Sequence, residues 1–218
     1  MSAFVIGRLY GWPDFAEDGQ DVWVVHVGDP SFFMRVVRRP ESALPRGDIA
    51  GLFFPLEGDT RWALANLVFF EPQTVPTRTI AQLVGGAIAA IHDPAVTAAL
   101  ALDRRPFEPA REEVRGEDVP TGFVAGVLYD DEQRALSDTP FLIHIGLPPF
   151  ATMVADVSRD ELEEEDIVAT IEADIVLAQP VWLSSLGCDR FELADIAGLG
   201  AELWRELVRD DMPDLLAG

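Results

Sequence analysis

Lysine is absent from this chain: all 16 basic residues among its 218 are arginine. That excludes Schiff-base chemistry on a side-chain amine and the phosphate-binding lysine of a P-loop. Cysteine occurs once, as Cys188, so no internal disulfide can form and the chain fits a reducing compartment, the cytoplasm. A lone thiol reads as a buried spectator rather than a nucleophile. Histidine is scarce, at three residues, and positive charge is outnumbered: 38 acids against 16 bases give a formal net charge of −22. Free nucleic acid is therefore disfavoured as a ligand, because its phosphates would be repelled. No apolar run reaches the roughly 20 residues that a membrane-spanning helix needs. No basic-then-apolar leader opens the chain. A membrane partner is not expected.

What is present is an internal similarity. Residues 4–10 read FVIGRLY and residues 123–129 read FVAGVLY; residues 23–32 read WVVHVGDPSF and residues 141–150 read FLIHIGLPPF. Trp62 and Trp182 supply a third anchor at nearly the same offset. Three anchors in one order predict two tandem repeated modules, 1–110 and 121–218. The linker, 111–120, lies within a polar, proline-bearing stretch that starts near Asp103.

Each module reads as about five strands followed by a helix. In the first, Ala3–Tyr10, Val22–Val27, Phe32–Val37, Ala50–Pro55 and Trp62–Phe70 are rich in β-branched and aromatic residues and are separated by turn formers. The period then changes. Ile80, Leu83, Val84, Ala87, Ile88 and Ile91 make one face of an amphipathic helix near 78–92, with Thr77 or Thr79 as its cap. Asp93-Pro94 opens a second short helix, 94–102.

In the second module the expected strands are Gly122–Tyr129, Phe141–Ile145, Phe150–Val157, Ile167–Leu177 and Trp182–Leu186, with a polar loop over Asp130–Asp138. The acidic run 158–166 reads as a loop or a helical turn. Leu193, Ile196, Gly200, Leu203, Trp204 and Leu207 predict a helix near 191–209. Shifted by 116 positions, Ile196, Leu199, Trp204 and Leu207 fall on Ile80, Leu83, Ile88 and Ile91. Strands followed by a helix indicate an α+β fold with an antiparallel sheet. Two like copies are expected to pack with pseudo-two-fold symmetry, as subunits of a homodimer do.

Acidity is unevenly shared. Residues 1–110 hold 13 acids and 9 arginines, net −4, whereas residues 111–218 hold 25 acids and 7 arginines, net −18. A requirement for solubility alone would charge both copies. Concentration in one points to a surface field that attracts something basic, although charge runs also serve simply to hold a face in water.

Few residues suggest chemistry. The chain has no GxSxG, GxxxxGK[ST], HExxH or CxxC, and nothing calls for a cofactor or a metal. Runs of adjacent acids point in different directions and do not imply a metal cage. His26 and His144 occupy equivalent places, each followed by an apolar residue, glycine, one more residue and proline. They are weak catalytic candidates; a turn-adjacent histidine more often satisfies a backbone carbonyl. His92 reads as a helix-end residue. Trp23, Trp62, Trp182 and Trp204 have core-like contexts, whereas Trp12 sits in a loop where it could anchor a partner.

The leading expectation is a non-enzymatic acidic binding protein of the inhibitor, immunity, chaperone or adaptor type. It would engage a basic protein through Asp160, Glu161, Glu163, Glu164, Glu165, Asp166, Glu172 and Asp174, with Trp12 as an added contact. One alternative is a structural subunit of a larger particle such as a virion or a secretion machine. Another is an enzyme that uses His26 and His144, which requires both rings to open into one pocket.

Overall fold

The two similar heptapeptides lie side by side. They form β1 (Ala3–Gly11) and β6 (Gly122–Asp130), antiparallel along their whole length, with Gly7 opposite Gly126 at the centre. A Cβ on Gly7 would collide with the Ala125 carbonyl, and one on Gly126 with the Ile6 carbonyl. Glycine is therefore required at both positions for the two backbones to approach this closely.

The computed structural model describes residues 3–11, 22–40, 53–55, 60–99, 121–130, 132–158, 160 and 162–208. It is an α+β fold, a large antiparallel sheet with a few helices. After β1 come β2 (Val22–His26), β3 (Phe32–Pro40), β4 (Phe53–Pro55) and β5 (Thr60–Phe69), then the helices α1 (Thr77–Ile91) and α2 (Pro94–Ala99). After β6 come β7 (Ala135–His144), β8 (Phe150–Asp156), β9 (Ile167–Thr170), β10 (Ile175–Trp182) and the helix α3 (Arg190–Leu203), which widens into a π turn at Trp204–Val208. The strand order is β4-β5-β3-β2-β1-β6-β7-β8-β10-β9. Outward from the β1–β6 seam, each side reads first, second, third, fifth and fourth strand.

Alternation along the strands divides the core between two faces. Phe4, Ile6 and Tyr10 of β1 and Phe123, Ala125 and Val127 of β6 point to the face that the helices cover. Val84, Ala87, Ile88 and Ile91 of α1 join them there, as do Leu193, Ala197, Ala201 and Leu203 of α3. Gly200 lets α3 settle onto the sheet, since a Cβ there would meet Leu142 Cδ2 at 2.7 Å and Phe123 Cε1 at 3.0 Å. Val5, Leu9, Trp23, Val25, Phe33, Val124 and Ile143 point to the opposite face. That face is closed by coiling of the sheet. The Ser31 hydroxyl donates to the Leu183 carbonyl, and the Ser185 amide donates to the Glu71 carboxylate. In a flat sheet five strands would separate β3 from β10; strong twist brings these opposite corners together.

Several local expectations need correction. Ile167–Leu177 is not one strand: β9 ends at Thr170, a turn runs through Glu172–Asp174, and β10 begins at Ile175. Alternation of Ile171, Ala173 and Ile175 continues through the turn and conceals it, though Ile171 is buried and Ala173 exposed. The final strand runs Ile175–Trp182 rather than Trp182–Leu186. The loop expected at Asp130–Asp138 is shorter, because β7 starts at Ala135. Within the acidic run the described residues form a loop ending in a 3-10 turn at Glu164–Asp166. Helix α1 starts after Pro76 without a side-chain cap, so neither Thr77 nor Thr79 plays that part, whereas Asp93 does accept from the Ala95 amide at the start of α2. The linker 111–120 lies outside the described residues.

Trp182 pairs with Phe150 as Phe69 pairs with Phe32. Trp62, the residue expected to match Trp182, lies opposite Arg38, farther along β5. On the helices, Val84, Ala87, Ile88 and Ala90 of α1 and Ala197, Gly200, Ala201 and Leu203 of α3 are buried.

Candidate functional site

His26 and His144 end β2 and β7, and each turns the chain in the same way. Their Nδ1–H groups donate to the carbonyls of Pro30 and Pro148, at 2.7 and 2.8 Å. The Asp29-Pro30 and Leu147-Pro148 bonds are both cis. His26 lies between Phe4 and Phe32, with ring centroids 5.1 Å away on each side. His144 lies between Phe123 and Phe150, at 5.1 and 5.4 Å. Their surroundings differ in one respect: His26 is 1% exposed, whereas His144 is only half-buried. Burial pushes the His144 pKa below its usual value, against the opposing pull of the Pro148 carbonyl.

The two rings stand in separate cross-strand rows. Register aligns Phe32, His26, Phe4 and Tyr129 in one row, and Phe150, His144, Phe123 and Tyr10 in the other. Phe4 and Tyr10 are six residues apart on β1, about 20 Å at the usual strand rise. The rings do not open into a shared pocket, and each one's hydrogen bond serves its own turn.

The candidate partner-binding acids frame the outer edge of the sheet. Glu163, Glu164 and Glu165 are exposed on the turn that leads into edge strand β9. Glu172 and Asp174 are exposed in the turn that leaves it. Asp160 is partly used internally: its Oδ2 accepts from the Asp156 amide at 2.9 Å. Asp166 is half-buried. Exposed acids on α3 and its π turn, among them Glu192, Asp195, Glu202 and Glu206, extend the charge beside the edge. Arg205, a base of this half, is committed to the fold, donating to the Ile171 carbonyl through Nε at 3.0 Å and Nη2 at 2.7 Å. Charge at an edge strand also prevents edge-to-edge pairing. Trp12 and Glu161 lie outside the described residues.

A cleft that no local pattern announced lies where the coiled sheet closes on itself. It has a volume of about 320 Å³ and runs between the β2–β3 turn, the segment after β5 and the end of β10. Asp29, Ser31, Glu71 and Gln73 come from the first half, and Trp182 and Ser185 from the second. Trp182 was expected in the core but is 37% exposed, its ring packed edge-on against Phe150 at 5.9 Å. Trp23 and Trp204 are buried as expected. The hydrogen bond from Ser185 holds the Glu71 carboxyl below its usual pKa. The Ser and Glu residues could not be singled out from sequence, because partners 152 and 114 positions apart meet only through coiling.

Among the described residues no group of three or more His, Cys, Asp or Glu could hold a metal ion, and no helix is long and apolar enough to cross a membrane. Cys188 is half-buried beside Asp189, the N-cap of α3. Burial first, then the charges of Glu192 and Asp189, raise its thiol pKa, so little thiolate is present at neutral pH. Compared with known protein families, curated proteins and solved structures, the chain matches none.

Proposed function

We propose that this protein is a non-enzymatic acidic binding protein that engages a basic protein through its second half. The observation that carries the reading is the pairing of charge with position. Residues 111–218 hold a net −18, and their exposed acids Glu163–Glu165, Glu172 and Asp174 bracket an edge strand beside the acidic side of α3. Such a field speeds encounter with a cationic surface and loses range as salt rises. Inhibitor, immunity, chaperone and adaptor roles all use coverage of this kind. A reducing cytoplasmic setting suits the single half-buried thiol.

The same proposal includes the origin of the fold: one ancestral segment duplicated and fused, its copies related by a pseudo-two-fold axis at the Gly7–Gly126 pair. The like strand order on either side of the seam supports this, as do the matched histidine–proline turns. Paired backbone bonds do too: Val27 to Ala3 with Ile145 to Gly122, and Phe70 to Ser31 with Leu183 to Pro149. Charge then accumulated in the later copy alone.

The test is purification from the native cell at low ionic strength, followed by association kinetics of the purified pair across a salt series. A basic protein in fixed stoichiometry is expected, with association slowing as salt rises. It should slow likewise in a Glu163→Gln, Glu164→Gln, Glu165→Gln variant. Association indifferent to both would overturn the reading. A second reading, a subunit of a larger assembly, is supported by exposed apolar residues in the second half: Leu147 at 73%, Leu186 at 57% and Phe191 at 84%. It predicts concentration-dependent self-association with little salt dependence in analytical ultracentrifugation.

A further inference from the structure

We propose that the cleft closed by the Ser31–Leu183 and Glu71–Ser185 contacts is a receptor for a guanidinium group, the end of an arginine side chain on the basic partner. The proposal rests on the basic-partner reading for the source of the cation; the site itself rests on the cleft.

Three features of the cleft select this ligand chemistry. First, its charged lining is of one sign among the described residues: Asp29 and Glu71 contribute carboxylates, and no described arginine or histidine lines it. An anion would be repelled, and a neutral apolar ligand would strip water from two carboxylates with nothing to replace it. Second, the remaining polar lining supplies acceptors through Ser31, Gln73 and Ser185. A guanidinium carries five N–H donors and no acceptor, so it needs a wall of this kind. Third, Trp182 presents a partly exposed indole to the same space, and a cation over an indole face is attracted by the ring's quadrupole. A volume of about 320 Å³ admits a side-chain end with its methylene stem rather than a whole folded element.

Position links the cleft to the acidic edge. Along β10, register runs from Val176 opposite Thr170 to Ala178 opposite Ile167, and then on to Trp182. The Glu164–Asp166 turn enters β9 at its Ile167 end, so these acids lie toward the Trp182 end of the sheet. A cation drawn in by the exposed acids meets the cleft next. The hydrogen bond from Ser185 favours the ionised form of Glu71. Both halves build the walls, so an occupied cleft also reinforces closure of the coiled sheet.

The experiment uses the full chain and two small probes of equal shape, arginine amide and citrulline amide, followed by the Trp182 indole N–H signal in NMR titration and by thermal shift. Arginine amide is expected to move that signal saturably and raise the melting temperature, and citrulline amide to do neither. Trp182→Phe keeps an aromatic ring against Phe150 but offers a weaker cation face, and Asp29→Asn alters an exposed carboxylate. Each is expected to weaken arginine amide binding by about tenfold, the Trp182 variant being followed by calorimetry. Equal response to both probes, no response to either, or binding unchanged in both variants would overturn the site. The Glu163→Gln, Glu164→Gln, Glu165→Gln variant separates this proposal from the one beneath it: it should lose partner association while still binding arginine amide. Failure of the partner reading alone leaves probe binding intact, whereas failure of the cleft leaves partner association unchanged by Trp182→Phe.

Discussion

The two histidine turns have the same bonds and unequal exposure. At both, a histidine closing a strand donates to the carbonyl of a proline four residues on and lies between two phenylalanines. His26 is nevertheless sealed at 1% exposure while His144 is half-buried. The turn is a product of local sequence; its dielectric environment depends on what the rest of the chain lays over it. The same split holds for the halves as a whole. They share strand order and core alternation, yet differ in net charge by the gap between −4 and −18. Architecture is set by residues that face inward, whereas charge is set by exposed residues that folding barely constrains.

The seam offers the largest way to break this comparison. Gly126→Ala puts a methyl group into the Ile6 carbonyl, and backbone cannot step aside as a side chain can. It should cost about 3 kcal/mol or more, read as a lowered urea midpoint. A loss below about 1 kcal/mol would mean that the strands do not approach so closely. Gly7→Ala should match it, since the two glycines stand in the same relation to each other's strand.

The histidines come next. His26→Ala removes a fully buried ring and leaves the Pro30 carbonyl without its donor, an expected loss of about 3 kcal/mol. His144→Ala should cost roughly half as much, because water can reach the vacated turn. Equal losses in urea denaturation would mean that the exposure difference has no energetic weight.

A smaller contrast lies on the helices. Gly200→Ala should destabilise by about 1–2 kcal/mol, since the Leu142 side-chain end at 2.7 Å can partly yield. On α1, Ala87 is another small, fully buried residue. Ala87→Gly should cost about 1 kcal/mol through helix propensity, plus the lost packing. Thermal melts of the two variants then measure how differently each helix seats on a similar sheet.

The finest probe is pH. His144 titrates below its ordinary value because burial disfavours the charged ring. The unfolded chain therefore takes up the proton first, so stability from this group is present above the unfolded pKa of about 6.5 and declines as pH falls below it. His144→Gln should flatten that part of the stability–pH curve. A slope that survives the substitution would assign it elsewhere.

Much of this was legible in the sequence for identifiable reasons. FVIGRLY and FVAGVLY announce buried strands because β-branched and aromatic side chains fill a pleated surface. The α1 stripe from Ile80 to Ile91 announces a helix through its period. The β9–β10 turn was not legible: Glu172, Ala173 and Asp174 lack glycine and proline, and apolar alternation continues past them. Trp182 looked like core because its neighbours are apolar, but it ends a strand at an open cleft. The cleft itself has no signature in the chain, since Ser31 and Leu183, or Glu71 and Ser185, are brought together by twist accumulated over many strands.

Composition and periodicity by themselves determined most of the strands, the helices, the histidine–proline turns and the imbalance of charge, because each arises among residues a few positions apart. Which face of the sheet closes, which histidine is sealed and where a carboxylate-lined cleft opens were decided by the tertiary structure alone. Those features depend on coiling of the whole sheet, and coiling sums small rotations that no short stretch of residues contains.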